Sequence, residues 1–140
     1  LAGQRIKFKK PEEHQILTEV ISNDPQGPTT RWGDERWQLI VRWVLNAQVA
    51  AEAYGVTSKN VDEMKAKSQN GDVRRLLGVE GKFGDMMGIS DDWAYNIVKQ
   101  VGNYGESFER NVGKDTPLKI ERGLNNLWSK GGLQYAEPIR

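Results

Sequence analysis

Few residues here are of the types that perform covalent chemistry. His14 is the single histidine, and there is no cysteine. It sits in Pro11-Glu12-Glu13-His14-Gln15, polar on both sides, and reads as a surface imidazole, since a general base needs a partner and a pocket. A serine relay would have to use His14, and no G-x-S-x-G elbow accompanies it. Carboxylates are the other resource. Pairs occur at Glu12-Glu13, Asp34-Glu35, Asp62-Glu63 and Asp91-Asp92, and two carboxylates suffice for glycoside hydrolysis. Three of these pairs stand at expected helix starts, where capping and the helix dipole account for them. Gly81-Lys82-Phe83-Gly84 and Gly102-Asn103-Tyr104-Gly105 match neither phosphate-loop pattern. They read as helix stops and close helix packing. Arg74-Arg75, with Lys65 and Lys67, forms a small basic group diluted by interleaved acids. No catalytic, metal-binding or cofactor-binding residue is expected, and no cofactor.

The composition narrows the classes further. The chain has 140 residues, with 20 Lys and Arg against 19 Asp and Glu, a net charge of +1. That balance argues against a dedicated nucleic-acid binder. Without Cys there is no disulfide framework or thiolate zinc site. With one His there is no His-pair metal site. The length suits one unit with one core. A hydrophobic content of 37% and a mean hydropathy of −0.69 are lean and polar. The sequence opens on Leu1 with no secretory leader pattern, which reads as a processed, trimmed or partial chain.

The elements that must position these residues are mostly helical. Residues 1–13 are basic and read as a solvated arm. Ile16-Leu17-Thr18-Glu19-Val20-Ile21 is β-branched and bounded by turn residues, which predicts a strand. Residues 22–28, with two Pro and a Gly, form a loop, and Thr29 to Trp32 suits a second short strand. Asp34 is an N-cap. From there Trp37, Ile40, Val41, Val44, Leu45 and Val49 recur at helical spacing up to Tyr54-Gly55, widened by Leu39, Trp43 and Ala47. This is the longest apolar element and the expected organiser of the core.

Thr57 or Ser58 caps a short helix to Lys67, with Val61 and Met64 inward. Asn70-Gly71-Asp72 is a break, and Val73–Leu77 and Lys82–Met87 are two-turn helices closed by Gly78 and Gly88. Ser90 and Asp91 cap a single helix that keeps its period through Trp93, Ile97, Val101, Tyr104, Phe108 and Val112, passes Gly102 and Gly105, and stops at Gly113. A last helix opens at Thr116-Pro117, carries Leu118, Leu124, Leu127 and Trp128, and ends at Gly131-Gly132 before an extended tail. The fold class is therefore mainly α with one or two short strands. The five Trp read as core anchors, with Trp32, Trp37 and Trp43 the candidates for facing a partner.

Several stretches resemble the later part of general L-amino-acid-binding proteins of ABC importers. They are Val20 to Pro28 with Arg31, Gly33-Asp34, Trp37 and Val41-Arg42-Trp43, and then Val73-Arg74-Arg75-Leu76-Leu77-Gly78. They continue with Trp93-Ala94-Tyr95, Val101-Gly102-Asn103-Tyr104-Gly105-Glu106, Phe108 to Gly113, and Pro117 through to Arg140. The resemblance implies the C-terminal portion of a periplasmic-binding-protein-like α/β fold. In such proteins two lobes hinge over an amino acid and then dock on a membrane permease. Residues 1–140 would form a single unit. Residues 1–33 would be an arm and strand segment left from the hinge and second lobe, and 34–140 the helical part of the first lobe plus a C-terminal extension. The resemblance also implies a periplasmic location, an L-amino acid and an ABC permease as partners, and no enzymatic activity. It assigns no ligand-binding residue to any position here.

Without a sheet to bury against, the long helix would expose its stripe, and large exposed patches mark missing partners. Trp37, Ile40, Val41, Val44 and Leu45 are therefore the candidate interface, for self-association or for pairing with an N-terminal fragment. The alternative reading is a stand-alone helical interaction or oligomerising module derived from that family. A carboxylate-dependent hydrolase is a weaker third.

Overall fold

The computed structural model describes every residue except Thr18, Val20, Asn23 and Arg140. Among the described residues the elements run α1 (Ala2–Arg5), α2 (Glu35–Ala53), α3 (Val61–Lys67), α4 (Gly71–Leu76), α5 (Phe83–Met86), α6 (Trp93–Val101) and α7 (Tyr104–Val112), with 3₁₀ turns at Pro11–Glu13, Gly123–Asn125 and Trp128–Lys130. Their only β-type pairing is an isolated bridge between Leu127 and Gln134. The mainly α fold class stands.

The long helix forms as its signals predict. Asp34 Oδ1 accepts from Trp37 N at 3.0 Å, and Gly55, at φ +68°, ends the helix just past its C-cap Tyr54. Only part of the expected stripe meets the core. Ala47, Ala50 and Ala51 are fully or almost fully buried, with Ile40, Trp43 and Tyr54 packed beside them. Small side chains let a neighbouring helix approach closely, and Ala94 of α6 is completely buried in the same cluster. Val56, Val61, Val73, Leu76, Leu77, Met87, Trp93 and Val98 complete this core, so α2 is the hub against which α4, α6 and α7 pack.

Several local expectations need correction. Neither expected strand is seen among the described residues. Ile16, Leu17, Glu19 and Ile21 lie in irregular backbone, as do residues 29–32, while Thr18 and Val20 of the first strand lie outside the described residues. A strand needs a partner along its edge, and no described segment supplies one. The helix expected from 91 to 112 is two helices. Gly102 takes φ +82° and ψ −179°, and Asn103 starts α7 as the N-cap of a full capping box with Glu106. Asp91 caps a different helix from the one expected: its Oδ1 accepts from Gly84 N at 2.9 Å and Asp85 N at 3.1 Å, at the start of α5.

The short helix α3 begins at Val61, because Thr57 and Asn60 bond to each other's backbone in a turn ahead of it. The expected break at Asn70 is itself a cap, accepting from Asp72 N and Val73 N. The last helix is replaced by irregular chain and two 3₁₀ turns, with Lys119 at φ +48°. The tail folds back: Arg75 Nε donates to Ile139 O at 3.1 Å, and Ala136 and Ile139 pack on the core.

Candidate functional site

The chemically capable residues take structural work. His14 is exposed, its Nδ1 is 3.0 Å from Lys10 O, and its ring lies 4.5 Å from that of Phe8. Asp62 accepts from Tyr95 and pairs with Lys99, while Asp92 pairs with Lys65 at 2.6 Å. Arg74 pairs with Glu80, and Arg75 pairs with Asp72 at 2.6 Å. Among the described residues no three His, Asp or Glu side chains gather as a metal site, and no helix is long and apolar enough to cross a membrane.

A denser polar cluster joins α7 to the loop after α2. Ser58 donates from N and Oγ to the Glu106 carboxylate, Oγ at 2.7 Å, and Asn103 N donates to it at 2.9 Å. Asn103 is itself buried, its Nδ2 donating to Val56 O at 2.8 Å. Burial alone would raise the pKa of Glu106. The hydrogen bonds from Ser58 and Asn103, with the Arg110 charge nearby, outweigh that and hold it below the usual glutamate range. A pKa lowered by folding stabilises fully above the ordinary glutamate range, and the contribution is lost as pH falls through the lowered value. Glu106→Gln is thus expected to cost about 1–2 kcal/mol at neutral pH. Its deficit against the parent should shrink as acid protonates the parent carboxylate, and urea midpoints at neutral and acid pH check this.

The candidate interface residues do not share one environment. Trp37 is 53% exposed. Ile40, Val41, Val44 and Leu45 are half-buried, with Ile40 turned to the core. Val41 and Leu45 floor a groove of about 460 Å³ between α2 and the arm, lined also by Pro28, Thr29, Thr30, Gln38, Arg42 and Asn46. Arg42 Nη2 donates to both carboxylate oxygens of Glu137, the nearer at 2.8 Å. Asn46 Nδ2 is buried without a partner. The interface reading missed this polar row, although Gln38, Arg42 and Asn46 stand at four-residue spacing in the sequence.

The tryptophans divide as well. Trp93 is buried and Trp43 packs on the core, whereas Trp32, Trp37 and Trp128 are exposed, Trp32 at 99%. A smaller apolar pocket of about 260 Å³ lies between α2, α5, α6 and the tail, at Trp43, Phe83, Met86 and Ile139.

No family model matches the chain. Individual proteins do. The general L-amino acid-binding periplasmic protein AapJ of Rhizobium johnstonii is 54% identical over the whole chain, which covers 41% of AapJ. The putative amino-acid ABC transporter-binding protein YhdW of Escherichia coli K12 is also 54% identical with the same coverage. The glutamate/glutamine/aspartate/asparagine-binding protein BztA of Rhodobacter capsulatus is 46% identical. A solved ABC transporter periplasmic binding protein from Brucella ovis, with glutathione bound, superposes at a TM-score of 0.91 with 53% identity, over 99% of this chain and 44% of that one. The chain spans well under half the length of these relatives. Over its whole length the chain is similar to amino-acid-binding periplasmic proteins of ABC transporters, of which it has the extent of a C-terminal portion.

Proposed function

We propose that this chain is part of the substrate-binding component of an amino-acid ABC importer, binding L-amino acids in the periplasm for delivery to a permease. The observation that carries this reading is the close superposition on the Brucella ovis binding protein at 53% identity. The names of the relatives specify L-amino acids and, in one case, glutathione. Glutathione carries a free α-amino-acid head on its γ-glutamyl end, so that zwitterionic head is the chemistry the ligands share. The role is binding and release without covalent chemistry, by hinge closure of two lobes.

In this reading the described residues supply scaffold to one lobe. The Glu106 cluster ties α7 to the loop after α2, the Glu52–Arg122 ion pair at 3.0 Å ties α2 to the chain ahead of the Gly123–Asn125 turn, and the outer side of α2, from Trp37 to Leu45, meets the remainder of the protein.

The test replaces the matched portion of AapJ with this chain and titrates the chimera with L-amino acids by calorimetry. Binding within about tenfold of AapJ itself, a change of about 1.4 kcal/mol, supports the proposal. A chimera that stays unfolded, or that folds and leaves L-amino acids unbound, rejects it.

A further inference from the structure

Asn70 is the one asparagine of the chain that is followed by glycine. It is exposed, and its Oδ1 caps α4, accepting from Asp72 N at 2.9 Å and from Val73 N at 3.4 Å. Gly71 stands at the first helical position, where a backbone N–H has no acceptor inside its own helix. Among the described residues no other acceptor takes it.

The fold does not require glycine at position 71. Its φ is not left-handed, and a Cβ there would stand 3.6 Å from Arg75 Nη1, an ordinary contact. Gly84 has no such room, since its Cβ would run into the Ser90 main chain. Glycine in place of alanine also weakens a helix. What the missing Cβ supplies is an unshielded main-chain nitrogen beside a side-chain amide.

That pair suits one reaction, attack of the nitrogen on the amide of the preceding residue, with both groups already held together by the chain. Gly71 N gives its proton to solvent base and bonds to Asn70 Cγ. The Cγ–Nδ2 bond breaks, and ammonia leaves with a solvent proton, closing a succinimide ring. Water then opens the ring. Cleavage at Cγ leaves aspartate, whereas cleavage at the main-chain carbon of residue 70 leaves isoaspartate, with the main chain running through Cγ. Water enters, ammonia leaves and nothing is oxidised or reduced.

The cap restrains this step. Ring closure needs Cβ and Gly71 N on the same side of the Cα–C bond, and the cap holds Asn70 at ψ 117°, away from that arrangement. Attack therefore waits until the first turn of α4 opens. That helix has six residues, and short helix ends open at little cost. We propose that Asn70 is a site of spontaneous deamidation, converted through a succinimide with Gly71 at a rate set by the opening of the α4 cap. Aspartate keeps an oxygen for the cap. Isoaspartate lengthens the main chain ahead of Gly71 and loosens α4, which seats Val73 and Leu76 in the core and holds Ile139 O through Arg75.

The test incubates the chain at mildly alkaline pH in buffer and in urea, with peptide mass mapping and isoaspartate methyltransferase labelling. Asn70 should convert ahead of every other asparagine. Its rate in buffer should be about fivefold below that in urea, the factor for a cap worth about 1 kcal/mol. Gly71→Ala should slow conversion in buffer by about tenfold, by shielding the nitrogen and firming the first turn. The same variant in urea separates the shielding from any change in folding. Asn70→Ser keeps a capping oxygen without an amide, so its urea midpoint should survive an incubation that lowers the parent's. The proposal is overturned if Asn70 stays amidated in buffer while it converts in urea, if the two rates are equal, or if Gly71→Ala converts as fast as the parent.

Discussion

Arg122→Ala is expected to destabilise the chain by about 3–5 kcal/mol, because it strands a buried carboxylate. Arg122 Nη2 lies 3.1 and 3.0 Å from the two oxygens of Glu52, and the side chains are only 13% and 10% exposed. The guanidinium also lies over the Tyr104 and Phe108 rings, 5.3 and 5.2 Å from their centroids, so its removal takes cation–π contact as well. Gly105 belongs to the same arrangement: a Cβ there would stand 2.8 Å from Arg122 Nη1 and 3.1 Å from the Glu52 carboxyl. The pair is a weak net stabiliser when whole and a large liability when halved. The double variant Glu52→Leu/Arg122→Met should therefore recover most of the loss. Urea denaturation of both singles and the double, closed as a cycle, reads the coupling. A double variant as unstable as the sum of its singles contradicts this account.

Leu77→Ala comes next, with an expected cost of about 3 kcal/mol from lost transfer energy and the cavity left behind. Leu77 is completely buried in the central cluster with Leu76, Val73 and Trp93. Leu133, two-thirds exposed, is the control, and its replacement by Ala should fall within about 0.5 kcal/mol. Equal losses at the two positions in a urea titration would contradict the assignment of the core.

How much of this was legible from the residues alone varied with the range of the interaction. The hub α2 was, because Asp34, the apolar spacing and Gly55 are local signals that agree. The break between α6 and α7 was missed although Asn103 and Glu106 spell a capping box. The apolar period runs on unbroken across Gly102 and masks the cap. Asp91 capping α5 was not visible, since the donors it serves lie six and seven residues upstream and reach it only after the chain turns at Gly88. The last helix failed for a related reason. Leu118 to Trp128 has helical spacing, but Lys119 and Gly123 adopt positive φ, and the chain there follows Val112 and Leu124 by tertiary bonds.

The burial of α2 was half legible. Apolar content marked α2, yet only the alanines revealed which side was inward, and small residues carry little weight in a hydrophobic stripe. The Glu52–Arg122 pair, 70 residues apart, left no local trace.

Those long separations govern the order in which the molecule can assemble. Arg42 and Glu137 are 95 positions apart, Arg75 and Ile139 are 64 apart, and Arg36 and Met87 are 51 apart. Lys65 and Asp92, and Tyr95 and Asp62, close loops of 27 and 33 residues. Contacts between distant positions must repay more loop-closure entropy, at about 0.6 kcal/mol per doubling of the loop, and they slow folding. The helices from α3 to α6 can therefore settle around α2 first. The returning tail, clipped by Arg42 and Arg75 and seated through Ile139, is a clasp fastened late, so it is also the part that loosens earliest while the bundle beneath it stays folded.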